Sequence, residues 1–309
     1  MGGKPFEINR VDVSRAETEN ECYRRTVDNF GIDIRRSPIR SRTLHRDDHP
    51  TVGNRAPSAA PLRRALHPGR PESGHPFKVV PMTTFDAGRM FAFDLETTGT
   101  DPHECRIVTS ALVRIDGGPP QTEELLADPG VEIPEGAARV HGITTEYARE
   151  HGRPHDEVLA DTIAAIRRAW SDGLTLVAYN AAYDLTVLRS RQPDFTVDGL
   201  VFDPLVIDRA RDTHRRGKRT LGNVCEHYRV RLDNAHEATA DALAAARLAW
   251  VMSKKVWPDL AEMDGDELME YQAVSHFESQ SSLREWLVGQ GRDVSDFRIG
   301  GWPIDEPER

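Results

Sequence analysis

The segment from Met90 to Pro102, Met-Phe-Ala-Phe-Asp-Leu-Glu-Thr-Thr-Gly-Thr-Asp-Pro, limits the possible folds more than any other part of the 309-residue chain. It begins with an apolar, aromatic run that has the length and composition of a buried strand. Asp94 and Glu96 interrupt this run near its end, and Gly99 follows in a turn. The pattern predicts a strand with two acids at its carboxyl end, where open α/β sheets place their ligands.

Asp94 and Glu96 are expected to lie on one face of the sheet, because side chains alternate along a strand. Two neighbouring carboxylates repel each other and are costly to desolvate unless a cation lies between them. For this pair alone, a solvated strand end with two acids is the simpler interpretation. A metal site requires further carboxylates downstream.

The net charge of −10 is unevenly distributed: the first 85 residues carry +5 and the rest of the chain carries −15. An acidic body that binds a polyanion needs metal ions or local basic patches. Cys22, Cys105 and Cys225 have no metal-type spacing, which suits free thiols in a reducing compartment. No stretch approaches the roughly 20 apolar residues of a membrane span, and the start lacks a signal peptide's apolar core. We therefore expect a cytoplasmic protein with no membrane partner.

Residues 1–84 are predicted to be a disordered, Arg/Pro-rich extension. The part from Arg35 to Pro81 has almost no periodic apolar residues, so it buries too little surface to offset chain entropy. Nine arginines between positions 35 and 70 have the charge to contact nucleic-acid phosphates. A solvated tail without a role is the simpler interpretation, and a natural start at Met82 is a third.

Residues 85–258 are predicted to form an α/β domain, a mixed sheet with helices on both faces. Short turns between the first three strands favour antiparallel pairing. A Thr at 144 or 145 is a candidate cap for a short helix. The remaining predicted elements are strands at 106–116, 121–126, 174–179 and 200–206, and helices at 156–170, 180–188, 221–228 and 236–256. Residues 259–309 are predicted to be a helical C-terminal tail, whose Leu283/Trp286/Leu287 stripe either docks a partner or packs on its own domain.

Two downstream acids and a histidine extend the opening pair. Asp184 begins the helix after the fourth strand, and it falls beside the first pair if strands one and four are parallel neighbours. An acid at this position also suits helix capping. Asp241 lies among alanines, where a buried carboxylate is costly without a charged partner. His236 is five residues earlier, so we place it on the loop and Asp241 in the second turn of the helix.

Four converging carboxylates favour two divalent ions, and oxygen ligands suit Mg²⁺ or Mn²⁺ better than zinc. Two such ions roughly 4 Å apart are typical of in-line phosphoryl displacement. A nearby imidazole is suited to accept the proton of the attacking water.

Three motifs, Asp94-Leu-Glu96-Thr-Thr-Gly, Asn180-Ala-Ala-Tyr-Asp184 and His236-x4-Asp241, resemble in order and spacing those of the DEDDh 3′–5′ exonucleases. That family includes the proofreading epsilon subunit of bacterial DNA polymerase III. The Val140–Thr144 segment also matches, and the resemblance covers about residues 85–257. It implies a ribonuclease H-like fold with a five-stranded mixed sheet, three antiparallel strands followed by parallel additions.

The resemblance also implies roles for individual residues. Asp94, Glu96, Asp184 and Asp241 would bind two Mg²⁺ or Mn²⁺ ions, with His236 as general base. The residues expected to contact the terminal nucleotide or to orient its site are Leu95, Thr97, Thr98, His141, Ile143 and Asn180.

The implied activity is hydrolysis of single-stranded 3′ ends, of DNA in preference to RNA, with release of nucleoside 5′-monophosphates. A role in DNA replication or repair and a DNA polymerase subunit as partner would follow. The alternatives are an RNA-trimming exoribonuclease of the same family and a non-catalytic, polymerase-associated interaction module. The intact set of catalytic-type residues argues against the last of these.

Overall fold

The computed structural model describes residues 84–233 and 235–306. The predicted N-terminal extension, its arginines and the alternative start at Met82 therefore lie outside the described residues, except for Thr84. Among the described residues, no helix is both long and apolar enough to span a bilayer.

The centre of the fold is a six-stranded mixed sheet with the strand order β4-β3-β2-β1-β5-β6. The first three strands pair antiparallel, and β5 and β6 add in parallel on the other side of β1, which confirms the predicted arrangement. The sixth strand, β4, consists of two residues paired in parallel with the end of β3, too short to produce a hydrophobic pattern. The strands are β1 (Arg89–Thr97), β2 (Ile107–Asp116), β3 (Gln121–Asp128), β4 (Arg153–Pro154), β5 (Thr175–Val177) and β6 (Val201–Phe202).

Eight α-helices lie within the described part of the chain, and each begins after a turn, strand or capping residue. Thr144, one of the two expected caps, accepts a hydrogen bond from the backbone of Tyr147 at the start of α2. A π-helical turn, Met252–Val256, and a 3₁₀ turn, Pro258–Ala261, connect α7 to α8. The helices are α1 (Glu135–His141), α2 (Thr145–His151), α3 (His155–Ser171), α4 (Ala181–Arg191), α5 (Pro204–Arg211), α6 (Leu221–Tyr228), α7 (Ala238–Val251) and α8 (Gly265–Gly289).

The sheet separates two hydrophobic cores, and the alternation of β1 determines which face each residue covers. Met90 and Ala92 lie in the core that includes α7, whereas Phe91 and Phe93 lie in the core that includes α3 and α4. The helix on the first face is rich in buried alanines, whose small side chains let it pack closely on the sheet. The two acids of β1 continue the Met90–Ala92 face, so they point towards α7.

The predicted strand at 200–206 is wrong beyond Phe202. Asp203 ends the extended segment, and its carboxylate accepts hydrogen bonds from the backbone of Leu205 (2.9 Å) and Val206 (3.4 Å). Pro204 occupies the first helical position, where its missing N–H and fixed φ are favourable. An Asp-Pro start therefore converts the apolar residues that follow into a helix.

The first half of α8, in the C-terminal segment, packs against the α/β domain. Leu268, Gln272 and His276 of α8 are buried. The predicted apolar stripe lies further along, where Leu283 is 45% and Trp286 is 59% exposed. The two halves of α8 therefore differ in their surroundings.

Candidate active site

Three of the predicted ligands lie where β1 meets the start of α4. Asp94 and Glu96 are partly buried on β1, and Asp184 is 4% exposed in the first turn of α4. The backbone N–H of the buried Leu95 donates to Asp184 Oδ1 at 3.2 Å. Because β5 is the parallel neighbour of β1, the helix that leaves it brings Asp184 to the opening pair, as the sequence predicted.

Asp241 and His236 approach from the other side, at the start of α7. Single ligand atoms of Glu96, His236 and Asp241 all lie within 4.8 Å of one another. His236 precedes the helix with a φ of 69°, and its backbone N–H donates to Asp241 Oδ2 at 3.3 Å. The predicted loop position of His236 is confirmed. Because α7 begins at Ala238 instead of position 236, Asp241 falls in its first turn and not in the second.

The four carboxylates share one electrostatic environment. Burial, followed by the charges of Asp184, Asp241 and Glu96, raises the pKa of Asp94 well above its usual value. Burial and the neighbouring Asp241 and Glu124 raise the pKa of Glu96 to about 7. Burial also raises the pKa of Asp184 and of Asp241, although backbone hydrogen bonds oppose both shifts.

The site therefore holds an excess of negative charge. Within the described residues, none of the four carboxylates forms an ion pair with Lys or Arg. Asp241 Oδ1 is buried there without a hydrogen-bond partner. An uncompensated set of oxygen ligands suits a hard divalent cation such as Mg²⁺ or Mn²⁺.

Thr97 and Thr98, predicted to contact the terminal nucleotide, are buried and use their hydroxyls internally. Thr97 Oγ1 lies 2.6 Å from the hydroxyl of Tyr183, and both hydroxyls donate to the carbonyl oxygen of Gly99. Thr98 Oγ1 accepts from the backbone of Arg106 at 3.0 Å. These bonds fix the turn that follows β1.

His141 and Ile143, from the segment between the first two motifs, lie beside this turn. Ile143 donates its backbone N–H to His141 Nδ1 at 3.2 Å. Burial lowers the pKa of His141, and a hydrogen bond with the Thr97 backbone opposes the shift. The segment that the sequence associated with substrate is thus adjacent to β1, with both side chains half-buried.

Asp203 is a supporting residue that the sequence analysis missed. Its buried carboxylate accepts from the backbone of Asn180 (3.0 Å) and Ala181 (2.9 Å), the turn that starts α4. Asn180 adopts a left-handed conformation with φ 67°, so its backbone, held by Asp203, orients the turn that carries Asp184. The Asp-Pro pair that begins α5 was the available signal.

The C-terminal segment strengthens the same turn. Gln272 of α8 accepts from the backbone N–H of Asp203 (2.7 Å) and donates to the carbonyl of Val201 (2.8 Å). Trp302 Nε1 donates to Asp203 Oδ2 at 3.4 Å. Nothing in the local sequence predicts these contacts, which join residues 69 to 99 positions apart.

A further link joins β3 to the first turn of α7. Thr239 donates its hydroxyl to Glu124 Oε2 at 2.6 Å. Since Thr239 lies between His236 and Asp241, this bond restrains the segment that carries both residues.

Two curated relatives show the extent of the similarity. The chain is 27% identical over 184 residues to the PolC-type DNA polymerase III of Lactococcus lactis, covering 56% of this chain and 11% of the relative. It is 35% identical over 133 residues to a DNA polymerase III subunit epsilon-like protein of Rhodobacter capsulatus, covering 41% and 17%. The chain thus spans only a small fraction of the length of either relative.

Two solved structures and one family model are also similar to the chain. E. coli exonuclease I in complex with a dA16 oligonucleotide is 22% identical with a TM-score of 0.44, covering 57% of this chain and 42% of that chain. Exonuclease X in complex with 5′-overhanging duplex DNA is 19% identical with a TM-score of 0.43, covering 59% and 99%. The family model RNase T, described as exonuclease, matches residues 91–249, just over half of the 309 residues, and the chain belongs to this exonuclease family.

Proposed function

We propose that this chain is a metal-dependent 3′–5′ exonuclease that hydrolyses single-stranded ends of DNA and releases nucleoside 5′-monophosphates. The observation that carries the proposal is the convergence of Asp94, Glu96, Asp184 and Asp241 at one end of the sheet, with His236 beside them. A structural role does not account for four carboxylates in mutual repulsion, because such a cluster destabilises the fold.

The four carboxylates are assigned as the ligands of two Mg²⁺ or Mn²⁺ ions. Their raised pKa values, their lack of Lys or Arg partners in the described part of the chain and the unpartnered Asp241 Oδ1 support the binding of a divalent cation. When bound, divalent ions supply the positive charge that stabilises in-line displacement at phosphorus. The three aspartates and Glu96 would hold the ions next to the scissile bond.

His236 is assigned as the general base. It is exposed, lies next to Glu96 and Asp241, and belongs to a residue type that exchanges protons near neutral pH. Its position at the rim lets it take the proton of the attacking water and release it to solvent. The backbone bond to Asp241 keeps the imidazole close to the carboxylates.

The turn after β1 and the adjacent segment are assigned to the terminal nucleotide. Leu95, Thr97 and Thr98 would position its site together with His141 and Ile143, while Asn180 orients the start of α4. The names of the curated relatives, both DNA polymerase III proteins, support DNA over RNA as substrate, replication or repair as the setting, and a polymerase subunit as partner.

The proposal is tested by nuclease assays on 3′-labelled and 5′-labelled single-stranded DNA, duplex DNA with mismatched 3′ ends, and RNA. Each substrate is incubated with Mg²⁺, Mn²⁺ or EDTA. We expect mononucleotide release from the 3′ end of single-stranded DNA, and loss of at least about 10³-fold in Asp94→Asn and Asp241→Asn. The matched control is Glu226→Gln, which neutralises an exposed acid that is not one of the four carboxylates.

Full activity in both aspartate variants, or activity that persists in EDTA, would refute the proposal. Faster digestion of RNA than of DNA would assign the site to RNA trimming instead. Copurification of an inactive protein with a polymerase would favour the interaction module.

A further inference from the structure

A cavity of about 1100 Å³ lies between two parts of the chain: the end of α5 with the segment that follows it, and the part of α8 from Tyr271 to Trp286. The family match ends at residue 249, so the α8 wall belongs to a part of the chain that the match does not cover. The arginines of one wall are Arg209, Arg215, Arg216 and Arg219, and the principal residues of the opposite wall are Tyr271, Ser275, Ser279, Ser282, Leu283 and Trp286.

Two of the four arginines fix the shape of the basic wall. Arg215 and Arg219 both donate to the carboxylate of Asp208, whose side chain is fully buried. Tyr228 donates its hydroxyl to the same carboxylate at 2.8 Å. Buried, charge-assisted bonds of this kind hold a loop in one conformation. The charges of Arg215 and Arg219 are therefore largely neutralised by Asp208.

The other two arginines are available to a ligand. Within the described residues, neither Arg209 nor Arg216 forms an ion pair with an acid. Arg216 is exposed and Arg209 is partly buried, and both line the cavity. Glu278 is the one acid among the lining residues. Guanidinium groups left unpaired in an otherwise acidic body favour a phosphate-bearing ligand.

The opposite wall offers a different chemistry. Trp286 is 59% exposed, so its indole face is open to a planar group, and three serines of α8 supply neutral hydroxyl donors. Arginines and serines that contact phosphates, combined with an aromatic ring that stacks a base, are typical of single-stranded nucleic-acid binding. An acidic peptide would satisfy the arginines but leaves the exposed indole without a role.

The basic wall is tied to the end of the sheet that carries the acids. Tyr179 follows β5 and directly precedes Asn180 at the start of α4, and its hydroxyl donates to the carbonyl of Arg219 at 2.7 Å. The turn that orients Asp184 and the loop that forms the cavity are therefore held together. A strand whose 3′ end lies at the acids has a binding surface at the same end of the sheet.

We propose that this cavity binds the single strand on the 5′ side of the nucleotide being removed. Arg209 and Arg216 would contact its phosphates, and Trp286 would stack one base. The inference rests on the proposed function, which it extends to a second binding site formed by the C-terminal helix. It predicts that long substrates gain affinity that short ones lack.

The test uses the full chain and a single-stranded DNA of about 20 nucleotides, with binding measured by fluorescence anisotropy in EDTA so that no cleavage occurs. Arg209→Gln/Arg216→Gln is expected to weaken binding about tenfold and to reduce the slope of log affinity against log salt by about 1 to 2. Trp286→Ala is expected to weaken it about fivefold or more. The control Arg284→Gln/Arg292→Gln also removes two charges, but from positions outside the cavity.

A second measurement separates binding in the cavity from catalysis. Hydrolysis of the p-nitrophenyl ester of thymidine 5′-monophosphate, which has no nucleotide on the 5′ side of the scissile bond, is expected to keep its kcat and KM in every cavity variant. Equal DNA affinity in the two double variants would overturn the inference. The inference would also be overturned if Arg209→Gln/Arg216→Gln weakened the binding of an oligoglutamate peptide but not the binding of DNA. Arginine-dependent DNA binding by a protein that hydrolyses nothing would support the cavity and reject the proposed nuclease function.

Discussion

The two sides of the candidate site differ in how they are built. Asp94 and Glu96 lie on a central strand, and Asp184 is bonded to the backbone of that strand. His236, by contrast, lies on a loop, is exposed and adopts a left-handed backbone conformation. Like charges stay close only where the backbone cannot move apart, whereas a group that exchanges protons with water has to reach solvent. The difference separates cation binding from proton transfer.

The largest expected effects test that separation directly. Asp94→Asn is expected to weaken Mn²⁺ binding as well as activity, because it removes charge from the strand side. His236→Gln is expected to lower kcat by about 10²- to 10⁴-fold while leaving Mn²⁺ affinity unchanged, because it removes only the proton acceptor. Calorimetric titration of both variants with Mn²⁺ gives the comparison. Equal loss of metal affinity in the two variants would erase the distinction between the two sides.

A smaller effect is expected from changing Asp203, which holds the turn that carries Asp184. Asp203→Asn replaces one carboxylate oxygen by an N–H₂ group that faces backbone donors, so we expect a loss of about 2 to 4 kcal/mol of unfolding free energy. Urea denaturation measures the loss, and kcat should fall because the turn that carries Asp184 is released. Asp198→Asn, at an exposed position, is the control. Similar stability of the two variants would mean that Asp203 does not hold this turn.

The smallest expected effect is a pH dependence of the metal-free protein. The pKa of Glu96 is raised to about 7, so the folded state binds its proton more tightly than the unfolded state. The stability it contributes is present at low pH and is lost as pH rises through about 7. In EDTA we therefore expect the Tm to fall by a few degrees between about pH 5 and pH 8.

Two comparisons show how much of this decrease in Tm comes from the site: the Glu96→Gln variant and the protein saturated with Mn²⁺. Glu96→Gln should flatten the decrease, and saturating Mn²⁺ should remove it, because the cation offsets the carboxylate charge. A Tm that rises over this range in EDTA, or an identical slope in Glu96→Gln, would contradict the assignment.

Part of the fold was predictable because its signals are local. The antiparallel pairing of β1, β2 and β3, the parallel strand β5 and the helices at 156–170 and 221–228 follow from periodicity and turn residues, with small errors at their ends. The strand predicted at 200–206, which corresponds to β6, was predicted too long, because apolar residues up to Val206 obscured the helix start at Asp203-Pro204. Strand β4 was missed because its two residues carry no periodic pattern.

The candidate site was predictable for a related reason. Asp94 and Glu96 share a face by alternation, and the need for a charged partner singles out Asp241. The bonds that support them could not be predicted in this way. Glu124–Thr239 and Gln272–Asp203 each join residues far apart in the chain, and neither pair has a distinctive spacing.

The sequence by itself determined the order of five of the six strands and of the longer helices, the acidic residues and the face on which the first pair lies, because these depend on periodicities of two and 3.6 residues. Only the tertiary structure decided that Asp203, Gln272 and Trp302 brace the turn at Asp184, and that arginines at the end of α5 and after it face Trp286 across a cavity. Those contacts depend on how helices pack on the sheet. Packing directions are set by the whole core and are not encoded in any short stretch of chain.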